Sequence, residues 1–283
     1  MYRLYLVIND FAKEVTKNNI SALASSAAYF IFLSLIPIIM LICSIVPYTI
    51  VTEADLMYIL GQLLPNTIAP LIINIVAEVY DKSPGFISIA AVITLWSAAK
   101  GILAIERGIN LVNRVEETRN YIVLRCKAAL YTIIMLVVVV FFLLVMVFGN
   151  VITHTIFGKY PDLSHFWQFM MHFRFLYGWF FLALIFTLLY LWLPNKKMKL
   201  RMQIPGAIFS SIMWSAFTWA FSIYVEHFNT FSVYGSLTTI IIVMLWLYVC
   251  MFIFLIGAEI NQYFMPFVRY HIHGKMNRMQ NEK

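Results

Sequence analysis

Glu259 directly follows an apolar run, Leu237 to Ala258, that holds no other charge. A carboxylate so placed can relay a proton, bind a cation or hold an arginine, and burying it in hydrocarbon costs about 3 kcal/mol on insertion scales. Counted from Ser236 it stands 23 residues in, about 35 Å along a straight helix. That is the boundary of a bilayer, where the carboxylate is either solvated among headgroups or paired with an arginine such as Arg107 or Arg201. Ser34 and Pro37 make a second candidate. Proline removes an intrahelical hydrogen bond and frees the carbonyl of Leu33, which a solute or a neighbouring serine can then use. With Trp246, these residues (Ser34, Pro37, Trp246 and Glu259) form the candidate path through the molecule. Glu106, Asn110 and Asn113 recur on one helical face, with Arg107 and Arg114 on another. Glu106, Arg107 and Asn110 are therefore a candidate cytoplasmic vestibule, against the alternative of a solvated helix face. The adjacent Glu226 and His227 form either a proton-sensitive pair or an inert interfacial one.

Several chemistries lack the residues they need. Metal-assisted phosphodiester hydrolysis requires clustered His, Asp or Glu ligands, whereas the six histidines are dispersed as His154, His165, His172, His227, His271 and His273. No G-x-x-x-x-G-K-[ST] segment is present to cradle nucleotide phosphates. Cys43, Cys126 and Cys250 have no metal-ligand or disulfide-framework spacing. No metal, cofactor or enzymatic activity is expected. The net charge of +7 suggests nucleic acid at first sight, but the basic residues are spread by loop rather than gathered on one binding face.

The elements that must position these residues are apolar and long. Hydrophobic residues make up 62% and charged residues 12% of the chain, and the mean hydropathy is +0.84, far from the soluble average of about 25% charged. A spanning helix needs about 20 apolar residues. The expected fold is all-α: a polytopic bundle of six transmembrane helices over about residues 20–50, 86–105, 128–149, 175–193, 204–225 and 237–258, within one domain (1–267) followed by a polar tail (268–283). The first span should kink or break at Pro37. The second reaches full length only if Lys100 snorkels and the helix continues through Ile105. Between spans one and two, Leu56, Ile59, Leu60, Leu63 and Leu64, and then Ile68, Leu71, Ile72, Ile75, Val76 and Val79, repeat at helical spacing around Pro65-Asn66. They predict an extracytoplasmic amphipathic helical hairpin. Small residues should pack between helices, namely Ser21, Ala24, Ser25 and Ala28 in span one and Ala207, Ser211, Ser215, Thr218 and Ser222 in span five.

Threaded this way, seventeen of the twenty Lys and Arg residues fall on one side. Cytoplasmic loops retain Lys and Arg during insertion, so both termini should be cytoplasmic. The first twenty residues mix Arg3, Asp10, Lys13, Glu14 and Lys17 with apolar ones and do not read as a cleavable signal peptide.

The blocks ASSAAYFIFLSLIP (Ala24 to Pro37), LWSAAKGILAIERGIN (Leu95 to Asn110), IPGAIFSSIMW, VYGSLTTIIIVMLWLY and LIGAEINQ resemble the YihY/BrkB family of bacterial inner-membrane proteins. The resemblance covers all but the third and fourth spans and the tail. It implies six spans, cytoplasmic termini and the bacterial cell membrane. That family carries an inherited ribonuclease label, a serum-resistance association and suggestions of transport or envelope integrity. The function expected here is a non-ATP-driven transporter or permease-like component for a solute or lipid, with a non-transporting envelope scaffold as the alternative. Membrane lipids and that solute are the expected partners; substrate, coupling ion and oligomeric state lie beyond the sequence.

Overall fold

A computed structural model describes residues 2–45, 84–156, 174–227 and 236–281. Seven helices run through them: α1 (Tyr2–Lys17), α2 (Ile20–Ile45), α3 (Pro84–Val112), α4 (Tyr121–Ile156), α5 (Arg174–Trp192), α6 (Leu200–His227) and α7 (Ser236–Asn281). The hairpin expected over Leu56 to Val79 lies outside the described residues.

Three helices are long and apolar enough to cross a bilayer, through Tyr121–Val138, Leu200–Val225 and Ile240–Phe264, and four if the bent pair α1 and α2 counts as one span. α3 and α5 are outside that count. α3 nevertheless continues past Lys100 and Ile105 to Val112. Its 29 residues reach about 44 Å.

α2 is not broken at Pro37 but runs on to Ile45. The bend comes earlier, where α1 and α2 meet at 51°. There Asn19 takes a φ of 50°, a left-handed conformation that asparagine tolerates better than most residues. Asn18 N still bonds Glu14 O at 2.9 Å, and Asn19 N bonds Thr16 O at 3.1 Å, so α1 is closed off before α2 begins. α7 passes through the expected boundary at residue 267, and the tail continues its helix to Asn281.

The core is shared by α2, α3, α5, α6 and α7. Ile20, Ala24 and Ala27 meet Ile109, Val112, Tyr190, Ala207, Phe254, Leu255 and Ala258. Small residues at these crossings let backbones approach closely. Gly206 on α6 faces Gly257 on α7 so tightly that a Cβ on Gly206 would stand 2.0 Å from Gly257 O. The expected small-residue stripe of α6 is buried at Ala207 and Ser211 but exposed at Ser215 and Ser222. On α2, Ala24 and Ala28 are buried, whereas Ser21 and Ser25 are exposed. Many large apolar side chains also face outward, among them Leu33, Val92, Ile93, Phe180, Ile212, Trp219 and Ile241. In lipid that pattern needs no partner subunit to cover it.

Candidate functional site

Polar side chains gather at one end of the bundle, where α1, α3 and the connections α3–α4 and α5–α6 meet the middle of α7. Glu106 is 1% exposed. Its Oε1 accepts from Arg119 Nη2, a residue of the α3–α4 connection. Arg119 turns a second face to Glu117, with Nε donating to Oε1 at 2.6 Å. Asn110 Nδ2 donates to Glu117 Oε2 at 3.1 Å. The other end of the Asn110 amide accepts from Asn195 N at 2.9 Å, and Asn195 Nδ2 reaches Thr118 Oγ1 at 3.0 Å and Glu116 O at 3.2 Å. One buried carboxylate is thereby tied through two loops.

Charge balance in this cluster is uneven. The Arg119 hydrogen bonds hold Glu117 below the ordinary carboxylate range. Glu106, one residue past the expected end of span two, is pushed upward because burial outweighs the attraction of Arg119. Arg119 is raised, first by its bond to Glu117, and stays charged. Glu106 Oε2 and Asn113 Oδ1 are buried without a hydrogen-bond partner among the described residues.

Glu259 sits in a second cluster and is likewise 1% exposed. Its partner is neither Arg107 nor Arg201. Asn18 Nδ2 donates to Glu259 Oε2 at 2.9 Å, from the turn that ends α1. Beside it Arg114 Nη2 bonds Glu14 Oε2 at 2.6 Å, joining α1 to the end of α3. Two residues on, Asn261 accepts from Gly206 N at 2.7 Å and donates from Nδ2 to Gln203 O and Gln203 Oε1, both at 3.2 Å. Pro205 has no N–H to offer the carbonyl of Arg201; beside it the Gly206 N–H donates across to Asn261. Deeper in, Tyr190 OH donates to Phe254 O at 2.6 Å and meets Ser210 Oγ at 2.9 Å, locking α5, α6 and α7 together.

The residues of the expected path do not converge. Ser34 is buried against Gly101, and its hydroxyl donates to Ile31 O at 2.8 Å; the Leu33 carbonyl is not its acceptor. Pro37 is half-buried within an unbroken helix. Trp246 packs edge-on to Trp214 at 6.0 Å. It lies thirteen residues before Glu259, about 20 Å along α7. Glu106 and Asn110 share a face, as their spacing requires, while Arg107 is exposed on another. That shared face is buried and bonded, so it is neither a solvated surface nor an open vestibule. Glu226 and His227 lie where side chains are outside the described set.

Sequence reasoning missed Arg119, Asn18, Asn195 and Arg125. Arg125, counted only as a topogenic charge, is buried. Its guanidinium lies over the rings of Trp96 at 5.4 Å and Tyr121 at 5.6 Å, with Nε donating to Tyr121 OH at 3.1 Å. Asn261 carried a legible signal, a second polar residue two positions past Glu259.

The family profile described as Virulence factor BrkB matches residues 11–278, which includes every residue of these clusters. The chain belongs to the BrkB family. A putative ribonuclease-like protein, YfkH of Bacillus subtilis (strain 168), is 31% identical over 240 residues, covering 84% of this chain and 87% of the relative. UPF0761 membrane protein NTHI0384 of Haemophilus influenzae (strain 86-028NP) is 26% identical over 259 residues, covering 88% and 91%. A UPF0761 membrane protein of Legionella pneumophila, lpg0643, is 38% identical over 90 residues, 31% of this chain and 22% of its own length. No solved structure matches. Among the described residues no group of three or more His, Cys, Asp and Glu stands close enough to hold a metal ion. This BrkB-family chain is a membrane protein with helices able to span a bilayer.

Proposed function

We propose that this BrkB-family protein is a six-span, single-domain protein of the bacterial cell membrane that moves a small solute or lipid without ATP. In this reading both termini are cytoplasmic and the polar end faces the cytoplasm. One observation carries the proposal: two carboxylates, Glu106 and Glu259, are each 1% exposed at the same end of an otherwise apolar bundle. Ionisable groups are costly to bury even at the mouth of a membrane bundle, and within one they mark proton or substrate pathways by default. Glu106 Oε2 has no hydrogen-bond partner among the described residues, so it has capacity to take a proton. The Arg119 bridge and the Asn195 bond would then close the cytoplasmic side of the path and must open for passage.

The test starts from extracts of cells with and without the protein, compared for metabolites and lipids. Any compound that differs is then assayed for flux in proteoliposomes. Glu106→Gln and Glu259→Gln should each slow flux at least about tenfold, a change of about 1.4 kcal/mol in barrier, while Arg107→Gln should not. Equal flux in all three would remove both carboxylates from the mechanism.

A scaffold reading draws on a different observation. The glycine contact and the Tyr190 bonds join α5, α6 and α7 with no room between them, as a rigid docking body would require. Absence of flux for every differing compound, with the envelope phenotype retained by Glu106→Gln, favours that reading.

A further inference from the structure

α1 presents three different sides. Phe11 meets Tyr263 ring to edge at 5.4 Å, Val15 packs on the core, and Asp10 accepts from Tyr263 OH at 2.8 Å; with Glu14 and Asn18 these residues dock the helix on α7 and α3. A second side, at the i, i+3 and i+7 positions Tyr5, Ile8 and Ala12, is exposed and uncovered among the described residues. Tyr5 is 64% and Ile8 58% exposed. The third side carries Asn9, Lys13 and Lys17, with one exposed apolar residue, Leu6, among them. Such a three-way division belongs to a helix with protein beside it, an apolar medium on one flank and water on the other.

We propose that α1 is an interfacial anchor lying on an anionic lipid leaflet, with Tyr5 and Ile8 in the acyl boundary and Lys13 among the headgroup phosphates. Two features of the molecule select lipid as the occupant. The exposed flank is continuous in character with the apolar belt of the bundle, since only Asn18 and Asn19 separate α1 from α2, which itself exposes Tyr29 and Leu33. The same end also carries exposed Lys196, Lys197 and Lys199, on the connection that Asn195 ties to Asn110. A basic rim around an apolar flank is complementary to anionic lipid, whose surface gains about 1 kcal/mol per nearby Lys or Arg. The 51° turn at Asn18 and Asn19 takes α1 out of line with α2, as a surface helix requires. The inference holds whether or not a solute crosses the bundle.

The full chain, with Cys43, Cys126 and Cys250 changed to alanine, is placed one molecule per nanodisc in phosphatidylethanolamine and phosphatidylglycerol. An environment-sensitive fluorophore is attached at Ile8→Cys or at Lys13→Cys. A nitroxide carried near the headgroup end of the acyl chains should quench the Ile8 label at least about twofold more than the Lys13 label, and aqueous iodide should show the reverse order. Equal iodide access at both positions overturns the proposal. So does lipid-like shielding of Ile8 that appears only when two chains share a disc, which would assign the flank to a second copy. Unchanged quenching in discs of phosphatidylcholine alone overturns the anionic assignment. Because both labelled positions are exposed, loss of folding does not imitate any of these results.

Discussion

Arg119 shows how a residue with no place in a motif can decide the fate of one that has. Glu106, Asn110 and Asn113 were legible as a face because helical spacing is local, but the partner of Glu106 comes from an irregular loop whose direction no periodicity encodes. The bridge is asymmetric in its consequences. Removing the guanidinium leaves Glu106 buried and uncompensated, which costs about 3–5 kcal/mol, whereas removing both partners is often near neutral. Arg119→Ala should therefore destabilise the detergent-solubilised protein far more than Arg119→Ala combined with Glu106→Leu, read as chemical-denaturation midpoints. If the double variant is as unstable as the single, the ion pair is not the reason Arg119 matters. Glu117 supplies the pH dependence of the same cluster. Its carboxyl is depressed below 4.5 by the Arg119 hydrogen bonds, so its contribution is present above the unfolded value and lost as pH falls through the lower folded one. The melting temperature of Glu117→Gln should lie below that of the unchanged chain near neutral pH, and the difference should shrink below about pH 4. A gap that widens on acidification would reverse the assigned direction.

Helices behave differently from side chains in how far spacing predicts them. α4, α5 and α6 contain the segments expected at 128–149, 175–193 and 204–225 to within a residue or two, because a long apolar run has one favourable conformation in lipid. α1 escaped notice, since its charges ruled out a signal peptide and its amphipathic period was not read as a helix. Pro37 misled in the opposite sense: α2 accommodates it, while the bend is set by the left-handed Asn19. Small-residue packing was partly legible, in that such residues on α2 and α6 were expected to pack, but which two glycines would meet depends on the crossing point. Gly206 and Gly257 meet backbone to backbone, and the obstacle to a Cβ on Gly206 is a carbonyl at 2.0 Å. A Cβ on Gly101 instead meets the Ser34 hydroxyl at 2.7 Å, which a rotamer change or truncation can clear. Overpacking costs about 1–3 kcal/mol and more where backbone must move. Gly206→Ala should thus fall at or above the top of that range, and Gly101→Ala should be milder and rescued by Ser34→Ala. Equal destabilisation by the two glycine variants, without rescue, would mean that helix propensity rather than contact governs both.

At the scale of the whole chain, composition and loop charge carry information that contacts do not. A bundle viewed without its bilayer shows an apolar exterior and a polar end but no inside or outside. The proposed orientation rests instead on the distribution of Lys and Arg. Arg114 and Arg119 lie in the connection after α3 and Lys196, Lys197 and Lys199 in the one after α5, with Arg107 in the last turns of α3 and Arg201 in the first turn of α6. Both connections meet at the polar end through the Asn195–Asn110 bond. Loops joined by a direct hydrogen bond must lie on one side of the membrane, which requires an even number of crossings between them. In the proposed orientation that side is cytoplasmic, where basic residues are retained during insertion. A periplasm-dependent phosphatase fused after His165 or Thr230 should accordingly be active, and one fused after Lys197 inactive, with a cytosolic fluorescent reporter giving the opposite pattern. Activity after Lys197 would turn the protein over; activity at all three positions would break the even count itself, and with it the placement of Glu106 and Glu259 on the cytoplasmic side.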